Sequence, residues 1–203
     1  MTKVKICGLT QLPDVHAVNI EKPDYVGFVF ADSRRRVTPA QATTLRSRLV
    51  YEIIPVGVFV DESIPNILSL VQNGIIQMIQ LHGTENEEYI VKLKERTAVP
   101  IVKAISVRHL GVVQQWASTT ADYLLLDNQG GGTGQAFDWR LIGDTTKPYF
   151  LAGGLDEDNI VNAINQTKPF AVDSSSGVET NGLKDPVKIK EFIRRVRHGK
   201  EGV

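Results

Sequence analysis

The chain carries one cysteine, two methionines, two tryptophans and 7% aromatic residues in 203 positions. A single thiol, Cys7, excludes an internal disulfide. Charge of one sign is also missing, because 23 basic residues balance 23 acidic ones. No broad field is therefore available to gather nucleic acid or an anionic membrane surface, and an anionic ligand has to be held locally. No apolar run approaches the roughly 20 residues that a membrane-spanning helix needs. The N-terminus lacks the apolar core of a signal peptide, so a reducing cytoplasm is the expected compartment. The four histidines His16, His82, His109 and His198 are scattered along the chain, which leaves no metal-ligand spacing, and no metal site is expected.

What is present is a regular alternation. Apolar residues make up 42% and charged residues 23%, ordinary values for a globular enzyme, and the length suits one domain over residues 1–203. Eight short apolar, β-branched runs begin at Val4, Tyr25, Ile53, Ile76, Ile101, Asp122, Pro148 and Pro169. Helical punctuation separates them. Thr38 precedes Pro39, Ser63 precedes Pro65, Asp156 opens "DEDNIVNAIN", and Asp185 precedes Pro186 and a stripe of Ile189, Phe192, Ile193 and Val196. The sixth helix is weakest, with only "FDWRLIG" to form it. Eight strands alternating with helices predict an α/β fold, a single-domain (β/α)8 TIM barrel. The alternative is a doubly wound open sheet, but "CGLTQL" after the first strand does not match its G-x-G-x-x-G fingerprint.

Barrel active sites lie at the carboxyl ends of the strands, which singles out Cys7, Arg35, Asp61, His82, Asp127 and Asp173. Alternation places Lys5 on the face of Cys7, Gln80 on that of His82, and Tyr123 and Leu125 on that of Asp127. The loops "LAGGL" after strand seven and "DSSSGVE" after strand eight offer glycines, hydroxyls and backbone N–H groups where such barrels hold phosphate. The loop "NQGGGTGQAFDW", with glycines between Gly130 and Gly134, reads as a closing or ligand-wrapping segment. Each feature has a plainer reading. A strand-end cysteine is often a small buried hydrophobe, Asp61 is assigned to capping the third helix, His82 can be a satisfied strand-end histidine, and "SRRR" from Ser33 can be a solvated face. Their coincidence on one rim is what favours a phosphate-binding barrel enzyme.

Across "KICGLT", "DYVGFVFADSRRRVTP", "VGVFV", "IQLHG", "LLLDNQGGGTGQAFDW", "LAGGL" and "AVDSSSGVE", nearly end to end, the sequence closely resembles the phosphoribosylanthranilate isomerase family of tryptophan biosynthesis. The resemblance implies a cofactor-free Amadori rearrangement of N-(5-phosphoribosyl)anthranilate to 1-(2-carboxyphenylamino)-1-deoxyribulose 5-phosphate. It implies Cys7 as general base at C2′ and Asp127 as general acid at the ring oxygen. Arg35 falls where the family receives the anthranilate carboxylate, with Arg34 and Arg36 as the alternatives if the register slips by one. Gly153, Gly154, Ser175 and Ser176 fall around the phosphate, Asp173 near the sugar hydroxyls, and His82 among the substrate-binding residues. Lys5, on the face of Cys7, is expected to support its thiolate.

Rival readings remain open here. A ribulose-phosphate epimerase would want metal ligands, an indole-glycerol-phosphate synthase catalytic lysines and glutamates, and a dual-substrate isomerase an aspartate on strand one in place of Cys7. A non-catalytic phosphate-binding barrel or a thiol redox sensor completes the set. No apolar stripe beyond the core faces is evident, which favours a monomer over a homodimer, with a small phosphorylated molecule as partner and neither nucleic acid nor membrane.

Overall fold

A computed structural model describes residues 1–128 and 137–199. The eight expected strands form β1 (Lys3–Cys7), β2 (Tyr25–Val29), β3 (Ile54–Phe59), β4 (Met78–Leu81), β5 (Ile101–Ser106), β6 (Tyr123–Asp127), β7 (Tyr149–Leu151) and β8 (Ala171–Ser174). They close in chain order, all parallel, and β8 returns to β1 with Lys5 opposite Asp173. A hairpin that the sequence did not suggest, β9 (Glu179–Thr180) and β10 (Leu183–Lys184), follows β8.

The helices α1 (Leu12–Glu21), α2 (Pro39–Arg46), α3 (Ile64–Gln72), α4 (Glu87–Lys94), α5 (Ile160–Thr167) and α6 (Pro186–His198) cover the outside. Thr38 caps α2 by accepting from the Gln41 amide, and Asp185 caps α6 from the Val187 amide at 2.9 Å. After β5 and β6 stand only short 3-10 turns, Gln114–Trp116 and Trp139–Ile142. In the first of these gaps, Gly111 at φ +92°, the adjacent Val112 and Val113, and the run from Ser118 to Thr120 all disfavour a helix. Gly143, at φ +61°, stops the second.

Two capping expectations need correction. Asp61 does not cap α3: it sits at φ +49°, and its Oδ1 accepts from the Thr84 amide at 2.7 Å and from the Thr84 hydroxyl, tying the end of β3 to the loop beyond β4. The N-cap position belongs to Ser63, whose side chain makes no capping bond. Asp156 holds a turn through the Asp158 and Asn159 amides, and α5 starts only at Ile160.

The strand period of two divides the core in two. Leu124 and Leu126 pack outward under the helices, whereas Leu125 packs inside with Val56, Met78, Val102 and Phe150. Phe150 lies 5.4 Å from the Tyr25 ring and 5.6 Å from the Tyr123 ring, so aromatic side chains plug the amino end of the barrel. Each ring buried there contributes roughly 1.5–3 kcal/mol. Above this floor, the inward positions turn polar.

Candidate active site

The carboxyl ends of the strands open into a cavity of about 440 Å³. Of the residues singled out from the sequence, Cys7, Arg35, His82, Asp127, Gly153, Gly154, Asp173, Ser175 and Ser176 line it, and Asp61 does not. Neither Arg34 nor Arg36 does, and Arg35 alone of the three points inward. Cys7 ends β1 and Asp127 ends β6, three strands away through β8 and β7, so sulfur and carboxylate face the cavity from different sides. Gly27, opposite Cys7 on β2, makes room for the thiol: a Cβ there would stand 2.6 Å from Sγ.

Beneath the thiol, Lys5 is wholly buried and donates to Asp173 Oδ2 at 2.8 Å. Burial opposes the charge on Lys5, but Asp173 and the Cys7 sulfur outweigh it and hold the ammonium above its ordinary value. For Cys7 the balance falls the other way. Burial pushes the thiol up, and the attraction of Lys5 and Lys184 does not fully offset it. The expected support from Lys5 is thus present, yet weaker than desolvation. Asp173 Oδ1 is buried without a hydrogen-bond partner, an acceptor left over for a hydroxyl in the cavity.

Asp127 Oδ1 accepts from the Asn128 amide at 2.7 Å, and Oδ2 lies 3.5 Å from His82 Nε2. Gln80 reaches His82 Nδ1 from the other side at 2.9 Å. His82 therefore serves as a neighbour of the Asp127 carboxylate as well as a lining residue.

Beyond β7, Gly153 and Gly154 adopt φ +84° and φ +63°, a left-handed turn that an L side chain would strain. Beyond β8, Gly177 is forced, since a Cβ would lie 2.0 Å from the Leu155 carbonyl oxygen. The amides of Gly153, Gly154, Ser176 and Gly177 find no acceptor among the described residues and rim the same end of the cavity. Converging N–H groups of this kind suit a phosphate. Ser175 contributes differently from the expectation, because its hydroxyl donates to the Cys7 carbonyl at 3.0 Å. Its backbone N–H remains for an anion.

Several functional neighbours were not singled out from the sequence. Glu179 accepts from Arg35 Nε at 2.7 Å and from Nη2 at 3.0 Å, and Lys184 donates to it at 2.7 Å. Burial works against its charge, but these hydrogen bonds keep its carboxyl below the ordinary range. Glu179 closes the quoted motif "DSSSGVE", and nothing local in the sequence pairs it with Arg35. Lys103, on β5, faces out of the barrel into a buried pair with Glu85 at 2.7 Å. Among the described residues no lysine lines the cavity, and Lys5 beneath it is engaged by Asp173, so the lysine that the synthase reading requires is not found there.

The family model described as N-(5'phosphoribosyl)anthranilate (PRA) isomerase matches residues 4–195. The chain belongs to this family. A relative from Endomicrobium trichonymphae, named N-(5'-phosphoribosyl)anthranilate isomerase, is 47% identical over 97% of this chain and 99% of its own. The phosphoribosyl anthranilate isomerase of Thermotoga maritima superposes with a TM-score of 0.88 at 36% identity, over 97% of this chain and 99% of that one. A structure of the PRA isomerase in complex with reduced 1-(o-carboxyphenylamino)-1-deoxyribulose 5-phosphate superposes at 0.86 and 36% identity, with the same coverage. The closed eight-stranded barrel is thus the fold of the PRA isomerases as well as of this chain.

Proposed function

We propose that this chain is an isomerase of tryptophan biosynthesis that converts N-(5-phosphoribosyl)anthranilate into 1-(2-carboxyphenylamino)-1-deoxyribulose 5-phosphate, with Asp127 as general acid and Cys7 as general base. The observation that carries the reading is the shared cavity: a thiol, a carboxyl group and a rim of unpaired amides meet at one end of a barrel whose family acts on this substrate. Anchored by its phosphate at Gly153, Gly154, Ser176 and Gly177, the substrate places its ribose over Cys7 and Asp173.

The steps balance without a cofactor. Asp127 protonates the furanose ring oxygen while the anilino nitrogen lone pair expels it, which opens the ring to a protonated Schiff base. That cation acidifies the C2′ proton, and Cys7 removes it to leave an enolamine. Loss of the O2′ proton and protonation of C1′ then give the aminoketose. Burial disfavours the Cys7 thiolate. The Schiff-base cation formed beside the sulfur draws the thiol toward ionisation when the step requires it. Asp173 Oδ1, free to accept, holds a ribose hydroxyl, and His82 keeps the Asp127 carboxyl turned to the ring oxygen. The monomeric state and the cytoplasmic location belong to the same proposal. Among the described residues, α1 carries two exposed large apolar residues near its opposite ends, Leu12 and Ile20, and α4 and α6 carry one each, Val91 and Val187, so no helix shows a continuous exposed apolar stripe.

Phosphoribosylanthranilate generated in situ should lose its anthranilate-type fluorescence on addition of the purified protein. Asp127→Asn and Cys7→Ala should each slow kcat by about 10² to 10⁴-fold, the usual worth of a general acid or base. A loss confined to KM would refute the catalytic roles.

A further inference from the structure

We infer that Glu179 is a positioning residue, which grips one edge of the Arg35 guanidinium so that the opposite edge faces the cavity and selects a carboxylate on the substrate. The inference rests on the reaction proposed above. A guanidinium is a rigid planar fork, and fixing one edge orients the other. Glu179 takes the Nε–H and an Nη2–H of Arg35, at 2.7 and 3.0 Å. Nη1 of Arg35 has no partner among the described residues. Glu179 is itself gripped from two further sides, by Lys184 at 2.7 Å and by Arg34 Nη2 at 2.6 Å. Three cations thus surround one carboxylate, and the cluster has charge to spare for a second. The floor beneath the fork is Gly8, at φ +81°, where a Cβ would stand 2.5 Å from Arg35 Cδ. Arg35 consequently lies flat over the residue that follows Cys7, with its side chain 14% exposed against 57% for Arg34.

The test is an equilibrium preference. Binding of 1-(2-carboxyphenylamino)-1-deoxyribitol 5-phosphate and of its counterpart without the carboxylate is measured by calorimetry on the native chain, Glu179→Gln, Arg35→Ala and the double variant. Glu179→Gln should lower the preference for the carboxylated ligand roughly tenfold, as expected when a charge-assisted contact is misaligned, while affinity for the other ligand stays the same. Added to Arg35→Ala, it should change nothing further. If Glu179→Gln does not fold, Glu179→Asp retracts the carboxylate by one methylene and should show the same loss. An unchanged preference, or an equal loss for both ligands, overturns the assignment. Failure of the native chain to consume phosphoribosylanthranilate would strike the proposed reaction instead, and the binding ratio would still be readable.

Discussion

Replacing Lys5 by methionine tests the charge arrangement under the active site. The ammonium and Asp173 Oδ2 are 2.8 Å apart, a separation worth ~6 kcal/mol of attraction at an effective dielectric constant of about 20. Desolvation of two buried ions offsets most of that, so the pair adds little net stability. Breaking it is another matter. Methionine fills the volume but leaves the Asp173 carboxylate buried, with Oδ1 already unpartnered. The expected cost is about 3–5 kcal/mol, the penalty for an uncompensated buried charge. Asp173→Asn in the same chain removes that charge, and the double variant should recover most of the loss. Urea denaturation followed by the fluorescence of Trp116 and Trp139 measures all three. A loss below about 1 kcal/mol for Lys5→Met alone, or strictly additive single and double variants, would refute the reasoning.

Because Cys7 is the sole thiol, alkylation by iodoacetamide reports its ionisation directly. Burial raises the thiol above its ordinary value of 9.0, so the alkylation rate should still be rising with pH beyond that point. An inflection near neutrality would contradict this. The sign also bears on stability: a folded-state thiol that resists ionisation favours the fold below its unfolded titration, and that contribution is lost as pH rises past 9.0. Gly27→Ala places a methyl group 2.6 Å from the Cys7 sulfur and should lower kcat by tenfold or more. An unchanged kcat would show that the position of the thiol is not critical.

The amino-acid sequence by itself determined the eight strands, the barrel and most of the rim. Strand period and helix caps are local properties, written within a few residues: Leu124 to Leu126 alternate between two cores, and Thr38 and Asp185 cap the helices they precede. The residues that line the cavity were legible because a parallel barrel gathers its strand ends at one face. Local reading failed where a residue's partner lies far along the chain. Asp61 was assigned to its neighbouring helix but bonds Thr84 beyond the next strand. Ser175 looked free for phosphate and instead holds the Cys7 carbonyl, and Glu179 drew no attention although it grips Arg35 from 144 positions away. Only the closed tertiary structure decided the electrostatics as well. Whether Lys5 or burial rules the Cys7 thiol depends on how much water the barrel excludes, and no spacing of residues encodes that quantity.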